Sequence, residues 1–114
     1  MSKPVNEGEV IIELDGEPVI LKCTLLAAKT VNAALDGFVG AYQRVQRFDL
    51  DAFGLIIAAG MGKKVPGELN DITEKVYATG MRDLSDDVTK FLNLLSNGGR
   101  EATPGGKEAA EGNG

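Results

Sequence analysis

Few side chains in this sequence are of the types that usually carry out catalysis. Its 114 residues include no histidine, no tryptophan and a single cysteine, Cys23. Histidine is the usual general base near neutral pH and the commonest metal ligand, so its absence excludes every catalytic triad that uses it. Cys23 follows Val19 and Leu21 on the inward face of a predicted strand. A reactive cysteine needs an exposed, electropositive setting, so we predict a small buried side chain and not a nucleophile.

The stretch Gly60-x-Gly62-Lys63-Lys64 is partly similar to a phosphate-binding loop. The Walker pattern requires a glycine at position 57 and a serine or threonine at position 64. Ile57 and Lys64 stand at those two positions. The run Gly60–Gly67 is instead dense in residues that interrupt helices, so we predict a connector between two helices.

The stretch that begins at Asp49 is partly similar to the calcium loop of an EF-hand. Asp49, Asp51 and Gly54 have the required spacing, but Phe53 occupies the place of an oxygen ligand. Gly60 stands where the bidentate glutamate should be. We therefore predict that these aspartates cap a helix.

Three further carboxylates, Asp83, Asp86 and Asp87, lie at the start of a predicted helix. Helix N-termini favour acidic side chains because of the helix dipole, so a solvated cap explains them better than general acid–base chemistry. No catalytic residue, cofactor site or metal site is predicted anywhere in the chain, and we expect a protein that is not an enzyme.

Composition restricts the classes of partner. The formal net charge is −5 and the basic residues are interleaved with acids, whereas nucleic-acid binding requires a basic face. The longest nearly apolar run, Phe53–Gly62, is about half the length of a membrane span. The first nine residues lack the apolar region of a signal peptide, and one cysteine cannot form an internal disulfide. These features predict a cytoplasmic protein that binds neither nucleic acid nor membrane.

Residues 9–24 predict a β-hairpin. Asp15-Gly16 between two β-rich runs favours a two-residue type I′ turn. The resulting register places apolar residues on one face, with Leu14 opposite Glu17, Ile12 opposite Val19 and Val10 opposite Leu21. In this register Pro18 lies opposite Glu13, where its missing N–H would point away from the partner strand.

Helical periodicity follows the hairpin. Thr24 suits the N-cap of a first helix with Leu25, Ala28, Val31 and Leu35 on its core face and Gly37 as its stop. Second and third helices are predicted over Phe38–Phe48 and Leu50–Ala59, and Asp71 with Glu74 resembles the capping box of a fourth that ends at Gly80. The last helix has the apolar residues Leu84, Val88, Phe91, Leu92 and Leu95 at helical spacing, and Gly98-Gly99 ends it.

Together these elements predict an α+β fold: an N-terminal two-stranded antiparallel β-hairpin packed on a bundle of four to five short helices. We expect a single domain over residues 9–97, a flexible N-terminus over residues 1–8 and a disordered tail over residues 98–114. Seven of those seventeen tail residues are glycine or proline, and none is aromatic or branched aliphatic. Such a segment cannot bury enough apolar surface to offset its ordering entropy.

Four side chains are predicted to contact a protein partner. Ile11 and Ile20 interrupt the polar alternation of the outer face of the hairpin. Leu94 lies off the apolar stripe of the last helix and is expected to be exposed, and Leu95 lies beside it near the end of that helix. Charge substitution at the four positions should abolish partner binding without unfolding the domain.

The order of these features carries a family resemblance. The hairpin over residues 8–21 leads into Thr24-Leu-Leu-Ala27, and a helix end at Leu35-Asp-Gly37 follows. The remaining matching segments are Leu50–Gly62 and Gly80-Met-Arg-Asp-Leu84 with Val88 and Phe91-Leu92. In this order residues 8–98 resemble the small tail protein of the gene-transfer-agent family, which is grouped with the tail assembly chaperones of long-tailed phages. Relatives often have a glutamate late in the first helix, where Asn32-Ala-Ala34 has none.

The resemblance implies a non-enzymatic tail assembly chaperone of a phage, prophage or gene transfer agent. Such a protein would bind the tape measure protein and the tail tube protein in the host cytoplasm, and it could self-associate through the hairpin edge or the final helix. Two alternatives stay open. One is a structural tail component, such as a tube or connector protein, that remains in the particle, and the other is an unrelated acidic regulator that binds a protein.

Overall fold

A computed structural model describes residues 8–101, which form a β-hairpin followed by five helices. This confirms the predicted α+β class. The elements are β1 (Glu9–Leu14), β2 (Glu17–Lys22), α1 (Leu25–Ala34), α2 (Gly37–Gln46), α3 (Leu50–Met61), α4 (Leu69–Thr79) and α5 (Met81–Ser96). The predicted flexible N-terminus (residues 1–8) and tail (residues 98–114) lie outside the described residues, except for Gly8 and residues 98–101.

The hairpin has the predicted antiparallel register. Asp15 and Gly16 both have positive φ, at 52° and 83°, as a type I′ turn requires. Val10 pairs with Leu21, and Pro18 lies opposite Glu13. On the inner face Val10, Ile12, Leu14 and Leu21 are buried, because a period of two places alternate side chains against the helices.

Helix α3 is the centre of the molecule. All nine residues from Ala52 to Gly60 are buried, which is typical of a helix covered on every side. At Gly60 a Cβ atom would lie 2.9 Å from Phe91 Cζ and 3.0 Å from Leu21 Cβ. The absence of a side chain at Gly60 therefore lets β2, α3 and α5 meet closely.

Helix α1 buries a different face from the predicted one. Thr24 caps it as expected, because its Oγ1 accepts a hydrogen bond from the Ala27 N–H at 3.0 Å. The buried residues are Ala27 and Val31, whereas Leu25 is 75% exposed. Two residues along an α-helix rotate the side chain by about 200°, so Leu25 points away once Ala27 faces the core. The expectation that Leu25 belongs to the core stripe is wrong.

Several helix boundaries also differ from the prediction, and one of them is the end of α2, at Gln46 instead of Phe48. Gly37 begins α2 instead of following α1 directly, and the reversal uses positive φ at both Asp36 and Gly37. Helix α4 begins at Leu69, so Asp71 lies inside its first turn and does not cap it. The Glu68 carboxylate closes the preceding loop by accepting a hydrogen bond from the Lys64 N–H at 3.0 Å. Helix α3 continues two residues beyond the predicted end, to Met61.

The end of α5 lies beside the start of the hairpin. Gly98 and Gly99 follow the helix with positive φ, and the Gly99 N–H donates to the Leu94 carbonyl oxygen at 2.7 Å. A Cβ atom built at Gly99 would lie 3.5 Å from Cys23 Cβ and 3.6 Å from Gly8 Cα. The described part of the chain therefore continues past the predicted boundary at residue 97. Within residues 8–101, no helix has the length and apolar character needed to cross a membrane.

Candidate interaction surface

The outer face of the hairpin exposes an apolar pair. Ile11 and Ile20 are direct cross-strand neighbours, and their side chains are 61% and 47% exposed. Both side chains point outward because side chains alternate between the two faces of a strand. Val10 and Ile12, on either side of Ile11, face the helices, and so do Val19 and Leu21 on either side of Ile20. The predicted position of both residues on the outer face is confirmed by the register, and their contact with a partner remains a prediction.

Charged residues surround the pair asymmetrically. On the β1 side Ile11 lies between the carboxylates of Glu9 and Glu13, which share its face of the strand. On the β2 side the corresponding residues are Lys22, opposite Glu9, and Pro18, opposite Glu13. The surface therefore combines an apolar centre with an acidic margin along β1.

The β1 residues whose side chains lie on this face direct their backbone N–H and C=O groups away from β2. The Cys23 N–H donates to the Gly8 carbonyl oxygen at 2.7 Å, so Gly8 belongs to the set of residues that bond across the hairpin. In an antiparallel pair this set alternates with residues whose N–H and C=O point outward. Glu9, Ile11 and Glu13 therefore direct their backbone donors and acceptors to the outer edge of β1.

The final helix does not supply the other half of the predicted contact surface. Leu94 and Leu95 are each 5% exposed and belong to the hydrophobic core. The predicted exposure of Leu94 is wrong, because α5 packs against the hairpin as well as against the other helices and so buries a wider face than the predicted stripe. Neither leucine can contact a partner through more than its margin while the domain is folded. Leu94 lines a shallow open pocket of about 380 Å³ together with Lys90, Asn93, Ser96, Asn97 and Glu101.

Sequence reasoning missed a second exposed apolar group at the start of α1. Leu25 and Leu26 are both exposed, at 75% and 73%, directly after the N-cap Thr24. Their positions around the helix axis could have located them, because a buried stripe through Ala27 and Val31 leaves both leucines outside it. Val39 on α2 and Tyr77 on α4 are exposed singly, as is common on protein surfaces.

Cys23 lies just after β2 and packs against the core. Burial raises the pKa of its thiol to about 11, so the thiol is protonated at neutral pH. Two backbone segments of the same protein supply this burial, because Gly8 and Gly99 lie close to the Cys23 side chain. The arrangement is that of a packed thiol and not of an activated nucleophile.

The two partial loop motifs have structural roles. Asp49 caps α3, because its Oδ1 accepts a hydrogen bond from the Ala52 N–H at 3.1 Å, as predicted. Its Oδ2 also lies 3.9 Å from guanidinium nitrogens of both Arg44 and Arg47. Gly62 ends α3 with a φ of 76°, and the following loop connects α3 to α4. Over residues 8–101, no group of three or more Cys, Asp or Glu side chains is arranged to hold a metal ion.

Comparisons with protein-family models, with curated proteins and with solved structures find no match to this chain.

Proposed function

We propose that this protein is a non-enzymatic tail assembly chaperone of a phage, prophage or gene transfer agent. It binds the tape measure protein and the tail tube protein in the host cytoplasm during tail morphogenesis, and it is released before the tail is complete. The proposal rests on the resemblance of residues 8–98 to the small tail protein of the gene-transfer-agent family. The observation that carries it is the exposed Ile11–Ile20 pair on a hairpin whose other face already fills the core.

The size of this pair suits a contact that must later be broken. Complete burial of an aliphatic side chain contributes roughly 1.5–3 kcal/mol, so two isoleucines supply only a few kcal/mol. Contacts of that strength, repeated along a long partner, hold it reversibly and allow a tube subunit to displace them. The net charge of −5 helps to keep such a complex soluble while apolar surface is exposed.

Co-purification tests the proposed partners directly. The tagged protein is co-expressed with segments of the tape measure protein from the same gene cluster, and the amount retained on the tag is measured. We expect the double substitution Ile11→Thr and Ile20→Thr to reduce retention by at least about 10-fold, because it removes the apolar contact. The control is Val39→Thr on α2, where the aliphatic side chain is at least as exposed as either isoleucine, and this change should leave retention unchanged. Equal retention by all variants would exclude this surface as the binding site.

A structural tail component that remains in the particle is the second candidate. One observation favours this candidate. Among residues 8–101, neither edge of the two-stranded sheet pairs with another strand, so a neighbouring copy could extend the sheet. Quantitative proteomics of purified particles separates the two functions. A chaperone should be nearly absent from finished particles, whereas a tube or connector protein should be abundant. Metabolic genes around this one would instead favour the third alternative, an acidic protein-binding regulator.

A further inference from the structure

The outer edge of β1 retains a complete set of backbone hydrogen-bonding groups. Glu9, Ile11 and Glu13 direct their N–H and C=O groups outward, and no backbone group among residues 8–101 bonds to them. Such an edge is a template for one more strand. The Ile11 side chain, at the centre of this edge, is largely exposed and adds an apolar contact point.

The opposite edge of the hairpin is protected. Pro18 occupies an outward-facing position of β2 and has no N–H to offer. A strand added beside β2 would therefore lose one of its hydrogen bonds, whereas a strand added beside β1 would lose none. The difference selects β1 as the edge that accepts a partner.

The charges on β1 select the chemistry of that partner. If a second copy paired with β1 antiparallel about Ile11, Glu9 of each copy would lie opposite Glu13 of the other, and like charges in direct opposition are destabilising. None of the ion pairs among residues 8–101 involves Glu9 or Glu13. An extended segment with a basic residue on each side of an apolar one would neutralise both carboxylates and cover Ile11.

We infer that the outer edge of β1 binds an extended segment of another protein by strand addition, and that this segment has the pattern basic–x–apolar–x–basic. The inference goes beyond the proposed function, because it specifies a backbone-mediated mode of binding and a sequence pattern for whichever protein carries the segment. Its failure would leave a tail chaperone that binds through side chains alone.

A synthetic heptapeptide provides the test, with arginine at its second and sixth positions, isoleucine at its fourth and threonine elsewhere. It is titrated into the full-length protein up to about 1 mM and followed by NMR of the backbone amides. We expect saturable binding, with slowed hydrogen exchange at the outward amides of Ile11 and Glu13. A peptide with glutamate in place of both arginines should bind at least about 10-fold more weakly.

Two variants locate the binding to one edge. Glu13→Pro removes an outward N–H from β1, and the control Lys22→Pro makes the same change on β2, at an exposed position outside the Ile11–Ile20 pair. The first should weaken peptide binding by about 10-fold or more, and the second by less than about 2-fold. If Glu13→Pro does not fold, the double variant Glu9→Lys and Glu13→Lys, at two positions outside the core, takes its place with the same expected loss.

Four results would overturn the inference. The first three are the absence of saturable binding, equal weakening by the substitutions on both edges, and equal binding of the arginine and glutamate peptides. A fourth is a dimer in sedimentation velocity that Glu13→Pro dissociates, since the occupant of the edge would then be a second copy of this chain.

Discussion

At the scale of single residues, Gly60 shows how one absent side chain joins three elements. A methyl group at Gly60 would meet Phe91 Cζ at 2.9 Å and Leu21 Cβ at 3.0 Å, and both residues are fully buried and cannot move into solvent. We expect Gly60→Ala to lower the free energy of unfolding by about 1–3 kcal/mol, measured by urea denaturation. The matched control is Gly67→Ala, where the nearest atom is Lys64 Cβ at 3.9 Å and the change should stay within about 0.5 kcal/mol. Equal losses would show that packing at Gly60 is not tight.

Cys23 is predicted to react slowly and to make stability depend on alkaline pH. The pKa of its thiol is raised by burial from 9.0 to about 11, so at pH 8 the folded protein contains far less thiolate than a free cysteine does. We expect alkylation by iodoacetamide to be roughly 10- to 100-fold slower in the folded protein than in urea, because lower thiolate content outweighs greater nucleophilicity. Equal rates would indicate an exposed thiol.

The same shift sets the sign of a pH effect on folding. The thiol ionises at lower pH in the unfolded chain than in the folded one, so ionisation favours unfolding as pH rises. The contribution of Cys23 should therefore be complete below pH 9 and should fall between pH 9 and about 11. The variant Cys23→Ala should lose less stability than the parent over this interval, and the difference between the two proteins isolates the contribution of the thiol.

At the scale of elements, the buried end of α5 contributes to stability, whereas the outer face of the hairpin is exposed and contributes little to it. Leu94→Ala should cost about 2–5 kcal/mol of unfolding free energy, because the side chain is buried at the end of α5. Ile11→Ala removes a side chain of similar size that is mostly exposed, and it should cost less than about 1 kcal/mol. Urea denaturation of both variants measures the difference. If Ile11→Ala were as destabilising as Leu94→Ala, the outer face of the hairpin would be part of the core and not a free surface.

The elements also show what sequence could and could not predict. The hairpin register could be predicted because it depends on local features, namely the Asp15-Gly16 turn and the alternation of apolar and polar residues on each side of it. The burial of Leu94 could not be predicted, because it depends on how the hairpin and the other helices, which come from distant parts of the chain, cover α5. The exposure of Leu25 depends on which side of α1 meets α3, and periodicity alone allowed a stripe through Leu25 as well as one through Ala27.

At the scale of the whole molecule, contacts between distant elements connect the hairpin to the helices. The Asp15 N–H in the hairpin turn donates to Thr79 Oγ1 at the end of α4 at 2.6 Å. Leu21 of β2 also packs against α3 at Gly60. Within the helical layer, the Tyr42 hydroxyl of α2 donates to Asn93 Oδ1 of α5. The hairpin alone would be marginal in water, because two strands need a packed face to be stable. Its inner face and the helical layer therefore depend on each other.

This mutual dependence predicts a single cooperative unfolding transition. We expect the urea transitions followed by far-UV circular dichroism and by amide chemical shifts of the hairpin to coincide within error, as for other domains of this size. The variant Thr79→Ala should shift both transitions together to lower urea, since it removes one of the contacts between hairpin and helices. Hairpin signals that disappear at lower urea than the helical signal would show that β1 and β2 open independently. In that case partner binding at the hairpin would compete with local unfolding, and the edge of β1 would not be a preformed site.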